Sequence, residues 1–304
     1  MLSRRLLLGY GLTLGASSLA EARASDATPD SHQLTPHELT LEAPGRQGQP
    51  RARALVLVPA HGPRGTHPAL VLLHGRGEAG DEQIGIHAWR TRYGLEDSYS
   101  RLLHPPIRLA REQTQFMRPE QLRALNAALA RWPFQGMVLI CPVTPNPGSG
   151  GAAQRALDGY ADWIESRLLP AAREVAPLGA SPILGLDGCS MGGFVAAEVF
   201  VRKPHLFRSF GVVQPAIGEF RVARYARALA AARGQPGLAG IHLLTSTGDP
   251  YRGATEALGR ELGRLDARPT LQVLPGPHDQ KWLRASGTLS VLGWHHQQLT
   301  SPPE

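Results

Sequence analysis

The sequence predicts an α/β protein with a mostly parallel central sheet and helices on both faces. Short apolar runs without strict alternation recur along the chain, as in strands that are covered on both sides. Helical segments separate these runs from residue 137 to the end. The chain has 304 residues, of which 42% are apolar and 19% charged, so it can bury the core of one large domain.

The first two strands are expected to form a hairpin at one edge of the sheet. LTLEA alternates in polarity, GRQGQPR supplies turn residues, and RALVLVPA follows. Further strands are predicted at 68–75, 137–142, 181–188, 207–215, 241–249 and 270–276. Helices are predicted at 152–175, 191–202, 220–233, 253–265 and 281–298.

Residues 1–24 have the features of an export signal. A basic start precedes a modestly apolar stretch, and Ala22 and Ala24 form an AxA cleavage pattern. The pair Arg4 and Arg5 resembles a twin-arginine signal, which predicts a periplasmic or extracellular protein. About 14 apolar-biased residues fall short of the roughly 20 that span a membrane, so we expect no stable membrane anchor.

Residues 25–36 are polar, contain two prolines and are expected to form a flexible arm, which leaves 37–304 as the folded domain. The formal charge of +7 comes almost entirely from scattered arginines, a pattern that argues against a nucleic-acid partner. No motif for a metal or an organic cofactor is present, so we expect neither. The sequence leaves the oligomeric state open.

Residues 81–134 interrupt the alternation of strands and helices. More than fifty residues separate two strands that one short helix could join. A connection of this length is usually a functional cap or has structure of its own. We therefore expect an inserted cap segment that overhangs the carboxyl edge of the sheet. Its aromatic residues form either a core or a substrate wall; they are Trp89, Tyr93, Tyr99, Phe116 and Trp132.

The stretch GLDGCSMGGF, residues 185–194, indicates a sharp turn from a strand into a helix. Glycines at 188, 192 and 193 leave no bulk beside Ser190. Such a turn presents the serine hydroxyl at its apex, as a nucleophile requires. A glycine-rich turn whose serine has no special role is the alternative, and GxSxG alone does not decide between the two.

Later strand ends supply the partners that a nucleophilic serine needs. Functional groups in an open parallel sheet gather beyond the carboxyl ends of the strands. Asp249 and His278 stand at two such ends. A histidine takes the proton from the serine, and an acid orients the histidine. The chain order Ser190, Asp249, His278 is the one expected for an α/β-hydrolase.

Two other acids are rivals for Asp249. Asp279 directly follows the histidine, and adjacent side chains diverge. Asp187 lies on the strand beneath the turn and is expected to hydrogen-bond the turn itself. Asp249 follows TSTG, where the glycine lets the chain turn and Pro250 ends the strand. We therefore expect Asp249 to be the acid.

These motifs resemble an esterase of the α/β-hydrolase superfamily, similar to the esterase D and polyhydroxybutyrate-depolymerase-like group. GCSMGGF with RKPHLFRSFGVVQPAI resembles that group's nucleophile turn, helix and next strand, and TSTGDP and LPGPHD resemble its acid and histidine loops. LLHGRGEAG resembles its oxyanion loop. The resemblance covers residues 52–80 and 137–296 and is silent on 81–134.

The resemblance implies hydrolysis of a small-molecule or polymeric carboxylic ester through an acyl-enzyme. An acyltransferase that moves the acyl group to a sugar or lipid hydroxyl is the alternative. A binding protein on a hydrolase fold is a third possibility, because a fold does not guarantee activity. The sequence does not identify the ester or the length of its acyl chain.

Backbone N–H groups are expected to stabilise the oxyanion. Ser190 begins a helix, so the Met191 N–H points at the attacked carbonyl and the helix dipole adds a favourable partial charge. Gly75 and Arg76, in the loop that resembles the oxyanion loop, are candidates for a second N–H. Glycines at 75 and 77 let this loop approach a substrate closely.

The remaining histidines and the cysteines are expected to have structural roles. His74 is expected to shape its loop, and His295 and His296 to contact the dipole at a helix end rather than a metal. In the strand order that the resemblance implies, the strand ending at His74 lies between those carrying Cys141 and Cys189. Two strand spacings amount to roughly 9.5 Å, and a disulfide needs Cα atoms within about 7 Å. We therefore expect two free thiols.

Overall fold

The structure is a computed structural model, and it describes residues 33–43, 51–60, 66–148, 150–179, 183–234 and 237–301. The predicted export signal at 1–24 lies outside the described residues. The first strand begins at Leu34, so residues 34–36, which the sequence placed in the flexible arm, belong to the sheet. Pro36 lies within this strand, which is tolerated because the strand is at an edge.

An eight-stranded sheet forms the centre of the protein. Its strands are β1 (Leu34–Glu42), β2 (Arg51–Pro59), β3 (Ala69–Leu73), β4 (Val138–Pro142), β5 (Leu184–Gly188), β6 (Ser209–Val213), β7 (Gly240–Gly248) and β8 (Thr270–Pro277). Their order is β1-β2-β4-β3-β5-β6-β7-β8. The hairpin of β1 and β2 is antiparallel and pairs antiparallel with β4, whereas the other neighbours are parallel. The predicted fold class and the edge hairpin are therefore confirmed.

The helices lie between the strands much as the sequence predicts. They are α1 (Glu82–His87), α2 (Leu95–Leu103), α3 (Pro119–Arg131), α4 (Gly150–Trp163), α5 (Leu169–Val175), α6 (Met191–Arg202), α7 (Val222–Arg233), α8 (Arg252–Arg264), α9 (Gln280–Trp282) and α10 (Thr288–Thr300). Five-residue π-helical turns join α4 to α5 and α9 to α10. None of the described helices is long and apolar enough to cross a membrane.

Two hydrophobic clusters cover the two faces of the sheet. Alternate residues of each strand point to opposite faces, so Val71 belongs to one cluster and Leu70 and Leu72 to the other. Helices α4 to α8 contribute to the cluster of Val71. Helices α1 to α3 and α10 contribute to the cluster of Leu70 and Leu72. The sheet is therefore buried on both sides, which accounts for the continuous apolar runs.

The insertion at 81–134 forms part of the layer on one face of the sheet. Trp89, Tyr93, Tyr99 and Phe116 are buried in the cluster that also contains strand residues. The expectation of a cap over the carboxyl edge is therefore wrong for most of this segment. The physical reason is that α10 covers only part of this face, and the apolar strand residues beside it are covered by the insertion.

Two aromatic residues of the insertion do reach the loops at the carboxyl edge. The Tyr93 hydroxyl bonds to the loop that follows β3. The ring of Phe116 packs so closely on Gly276, near the end of β8, that a Cβ atom there would lie 2.8 Å from it. The insertion therefore contacts the loops at both ends of the expected site while forming part of the core.

Both cysteines are free and buried. Strand β3 lies between β4, which contains Cys141, and β5, which Cys189 directly follows. This is the strand order that the resemblance implies, and it separates the two sulfur atoms by an intervening strand. Burial also raises the pKa of both thiols above the ordinary range of cysteine.

We predict two free thiols in the purified protein. Alkylating the denatured, unreduced protein should add the mass of two alkyl groups, because strand β3 holds the cysteines too far apart to bond. The measurement is intact mass spectrometry, with a reduced sample as control. A mass that shows alkylation only after reduction would contradict the observed strand order.

We predict that Trp89→Ala destabilises the protein by about 3–5 kcal/mol, because Trp89 is fully buried against the sheet. Trp132→Ala is the matched control from the same segment, since Trp132 is 37% exposed; it should cost under about 1 kcal/mol. Chemical denaturation of the two variants measures both free energies of unfolding. Equal losses would show that the insertion is not part of the sheet's core.

Candidate active site

A sharp turn between β5 and α6 carries the candidate nucleophile. Strand β5 ends at Gly188 and helix α6 begins at Met191, with Ser190 at φ 54° and ψ −116°. A positive φ is costly for a residue other than glycine and marks a site where the surrounding structure enforces the conformation. A Cβ on Gly188 would lie 2.3 Å from the carbonyl oxygen of Gly192. The backbone contacts of the turn therefore explain its glycines.

The structure brings the three predicted residues into one hydrogen-bonded chain. The distance from Ser190 Oγ to His278 Nε2 is 3.0 Å, and from His278 Nδ1 to Asp249 Oδ1 it is 2.8 Å. Because the carboxylate accepts from Nδ1, Nε2 is available to accept the serine proton. The Asp249 carboxylate is buried, whereas the His278 side chain is 24% exposed. This is the geometry of a serine–histidine–aspartate triad.

Two further contacts orient the Asp249 carboxylate. Thr245 Oγ1 donates to Asp249 Oδ2 at 2.6 Å. The Tyr251 N–H donates to Oδ1 at 3.0 Å. The Tyr251 ring also lies edge-on to the His278 ring, with centroids 5.9 Å apart. Sequence reasoning missed Thr245 and Tyr251, and the one available signal was their closeness in sequence to the acid.

Gln214 fastens the loop that carries the histidine. The residue directly follows β6, and its Nε2 donates to Ser246 Oγ at 2.7 Å and to the Pro277 carbonyl at 2.9 Å. Ser246 Oγ donates to the same carbonyl at 3.1 Å. The peptide before His278 is thus held from two neighbouring strands. Sequence reasoning missed this role of Gln214.

The two rival acids, Asp279 and Asp187, form hydrogen bonds with groups other than His278. Asp279 accepts the Trp282 N–H at 2.8 Å and so caps helix α9. Asp187 is fully buried, and its Oδ1 accepts the Gly188 N–H at 2.6 Å, as expected of a residue that supports the turn. Of the three acids, Asp249 is the one that contacts His278.

Asp187 belongs to a second serine–histidine–aspartate set inside the core. Its Oδ2 lies 2.9 Å from His295 Nε2, and His295 Nδ1 lies 2.7 Å from Ser209 Oγ. All three residues are fully buried. Burial raises the pKa of Asp187 to about 7 and lowers that of His295 to about 3. Burial therefore favours the uncharged forms of both groups.

The expectation that His295 and His296 contact a helix dipole is wrong. Both side chains are buried, because His295 packs against Gly185 and Gly211 of the sheet and the His296 ring packs against Phe134. His296 Nε2 accepts the Gln135 N–H at 3.1 Å, and burial lowers the pKa of His296 to about 4. Across the described ranges, no group of three or more His, Cys, Asp and Glu side chains is placed to hold a metal ion.

His74 shapes the loop after β3. Its Nδ1 donates to the Gly75 carbonyl at 2.9 Å, and its Nε2 accepts the Thr144 N–H at 2.9 Å. The backbone N–H of His74 donates to Thr144 Oγ1, also at 2.9 Å. The buried imidazole therefore ties this loop to the end of β4, in agreement with the predicted structural role.

Two of the three expected oxyanion donors have a free N–H. Met191 and Arg76 begin helical turns, and the first N–H of a helix has no intrahelical acceptor. In the part of the chain that the structure describes, neither N–H donates to a protein atom. The Gly75 N–H, in contrast, donates to the Tyr93 hydroxyl at 3.1 Å. The prediction for Gly75 is therefore wrong, because a residue of the insertion occupies its N–H.

No family model and no curated protein matches the sequence. Solved structures do match. A ferulic acid esterase has a TM-score of 0.62 at 14% identity, over 88% of this chain and 99% of its own. An S-formylglutathione hydrolase from Staphylococcus aureus has a TM-score of 0.58 at 12% identity, over 86% of this chain and 99% of its own.

The enterobactin esterase of Shigella flexneri has a TM-score of 0.58 at 17% identity, and the match spans 89% of this chain and 60% of that one. Identities in this range show a shared fold. The sheet order, the turn that carries Ser190 and these structural likenesses lead to one conclusion: the chain has the α/β-hydrolase fold.

Proposed function

We propose that the protein is a serine hydrolase that cleaves carboxylic esters through an acyl-enzyme. The observation that carries the proposal is the hydrogen-bonded chain from Ser190 through His278 to Asp249 at a strained turn. The likeness to structures named as esterases and hydrolases supports the same reaction class. A small-molecule or polymeric ester is the proposed substrate.

The first half-reaction forms the acyl-enzyme. Ser190 Oγ attacks the ester carbonyl carbon while its proton passes to His278 Nε2. The carbonyl oxygen becomes an oxyanion, and the free N–H groups of Met191 and Arg76 are the proposed donors to it. The tetrahedral intermediate then collapses, the bond to the alcohol oxygen breaks, and His278 returns the proton to the leaving alcohol.

The second half-reaction uses water in place of the alcohol. His278 takes a proton from the water, whose oxygen attacks the acyl carbon, and then returns it to Ser190 Oγ as the acid product leaves. The exposure of the His278 side chain, 24%, allows water to reach the ring. An exposed ring is equally open to an alcohol acceptor, so hydrolysis is proposed on the likeness to structures named as esterases and hydrolases, with acyl transfer as the alternative. Comparing the products with and without an alcohol acceptor tests that preference.

Asp249 keeps His278 in the reactive tautomer. Its buried carboxylate accepts from Nδ1 and stabilises the imidazolium that forms when Nε2 takes the proton. The bonds from Thr245 and Tyr251 hold the carboxylate in place during this change. The acid is thus positioned before the substrate arrives.

We also propose that the protein is exported. Support comes from the sequence of residues 1–24 alone, with its twin-arginine-like start and AxA pattern. Fusing these residues to a reporter that is active only after export, with Arg4 and Arg5 both changed to Lys as control, tests the route. Export that is insensitive to the control would contradict the twin-arginine assignment.

We predict that Ser190→Ala abolishes covalent labelling by a fluorophosphonate and nearly all turnover of short p-nitrophenyl esters. Removing a triad member normally costs several powers of ten in rate. Ser209→Ala is the matched control, because Ser209 also bonds a histidine but is fully buried. It should still be labelled at Ser190. Turnover by Ser190→Ala above about a tenth of wild type would defeat the assignment.

We predict that Asp249→Asn lowers turnover by about a thousandfold or more, because the amide favours the wrong histidine tautomer. Asp279→Asn should be nearly silent, since asparagine caps a helix about as well as aspartate. Asp187→Asn should lower the melting temperature and keep most of the activity per folded molecule. The measurement is kcat for each variant beside its thermal melt. An inactive, fully stable Asp187→Asn with an active Asp249→Asn would show that Asp249 is not the acid.

A further inference from the structure

We propose that Tyr93 is a positioning residue for the oxyanion hole. It holds the loop that carries Arg76 and is itself held by the buried carboxylate of Glu78, which also bonds the histidine loop. The inference rests on the proposed function, because it concerns the same reaction. It assigns a role to the insertion, on which the resemblance to esterases is silent.

The Tyr93 hydroxyl makes two bonds in a fixed direction. Tyr93 is 2% exposed, and its hydroxyl donates to Glu78 Oε2. Burial raises the pKa of Tyr93 far above the ordinary range, so the hydroxyl keeps its proton. A hydroxyl has one proton, which here goes to the carboxylate, so its oxygen accepts the Gly75 N–H at 3.1 Å.

This bond fixes the peptide group next to the one that carries the proposed oxyanion donor. The Arg76 N–H and the Gly75 carbonyl belong to one planar peptide group and point in opposite directions. His74 Nδ1 holds that carbonyl at 2.9 Å, and Tyr93 holds the N–H on the other side of Gly75. Both peptide groups that flank the Gly75 Cα are thus fixed, which sets the direction of the Arg76 N–H.

The surroundings leave little room for the loop to move. A Cβ on Gly75 would lie 3.2 Å from the Tyr93 hydroxyl oxygen and 3.6 Å from Cys189 Sγ. Cys189 directly precedes Ser190, so the hydroxyl, the glycine and the turn that carries the nucleophile pack against one another. The distance between the donor and the nucleophile therefore depends on this contact.

Glu78 links the same contact to the histidine loop. The residue is 3% exposed, and its Oε1 accepts from Gln280 Nε2 at 2.8 Å, with Arg92 Nη1 at 3.5 Å. Gln280 follows His278 by two residues. One buried carboxylate thus bonds the insertion through Tyr93 and the histidine loop through Gln280.

Tyr99 offers a matched control. It lies in the same insertion, is 1% exposed, accepts the Met137 N–H at 3.0 Å and donates to the Met137 carbonyl at 3.3 Å. Those bonds lie beside the start of β4, at the opposite end of the strands from Ser190. Tyr93→Phe and Tyr99→Phe each remove one buried hydroxyl with two hydrogen bonds, and Tyr93→Phe should be the more destabilising because it removes a donor to the Glu78 carboxylate.

The experiment compares the two variants with wild type in three assays. The first is kcat and KM on p-nitrophenyl acetate. The second is the same measurement on the corresponding thionoester, whose sulfur accepts hydrogen bonds weakly and so depends little on oxyanion donors. The third is the second-order rate constant for fluorophosphonate labelling of Ser190, which also requires the donors to contact a developing negative oxygen.

We expect Tyr93→Phe to lower kcat on the ester by about 10- to 100-fold. This loss is somewhat smaller than that caused by removing an oxyanion donor itself. KM should change by less than about twofold. Labelling should slow by a similar factor, whereas the thionoester rate should fall far less. Tyr99→Phe should change none of these rates by more than about twofold.

A Tyr93→Phe variant that labels and turns over like Tyr99→Phe would overturn the inference and leave the proposed function intact. An equal slowing of ester and thionoester would also overturn it, because general disorder of the site affects both. A wild-type protein that neither labels nor turns over would refute the proposed function and this inference with it.

If Tyr93→Phe does not fold, Gln280→Ala gives a second test, since Gln280 is exposed. Removing this side chain cuts the bond between Glu78 and the histidine loop. We expect kcat on the ester to fall several-fold, because Glu78 loses one of the bonds that hold it beside the Tyr93 hydroxyl. A thionoester rate that falls equally would show that the loss acts through His278 instead and would overturn the inference. Unchanged kcat in this folded variant would overturn the inference.

Discussion

The strained backbone of Ser190 is the constraint on which the site depends. A positive φ at a serine persists because neighbouring strands hold both sides of the turn. The Cys189 N–H donates to the Leu73 carbonyl at 3.1 Å, and the Ser190 N–H donates to the Val213 carbonyl at 2.9 Å. A Cβ on Gly192 would lie 2.3 Å from that same Leu73 oxygen. The ends of β3 and β6 therefore impose the conformation that exposes the hydroxyl.

The other parts of the site are held in the same way, by bonds that cross from one strand end to another. His74 ties the loop after β3 to the loop after β4 through Thr144. Gln214 ties the end of β6 to the end of β8 through the Pro277 carbonyl. The insertion adds Tyr93 beside the oxyanion loop. These hydrogen bonds fix the geometry of the candidate site, which matters because small errors in distance slow a reaction strongly.

The sequence predicted the features that follow from local pattern and from strand ends. That Ser190, Asp249 and His278 lie together could be predicted, because parallel strands bring their carboxyl ends to one edge of the sheet. The position of the insertion could not be predicted, because its burial depends on which part of the sheet the other helices leave uncovered. The predicted contact of His295 with a helix dipole failed for the same reason. His295 lies near a helix end, but packing against the sheet determines its contacts. Gly75 was wrongly predicted to donate to the oxyanion, because its N–H bonds to Tyr93, which is distant in the sequence.

The buried set of Asp187, His295 and Ser209 differs from the candidate triad in its exposure to solvent. Both sets join a serine, a histidine and an aspartate at hydrogen-bond distances. In the buried set the ring is reversed, with Nε2 toward the acid, and no atom of it reaches the surface. A search that matched residue types and separations alone would find two candidate reaction centres among the described residues. Solvent access, rather than the identity of the three side chains, leaves one candidate, the set of Ser190, His278 and Asp249.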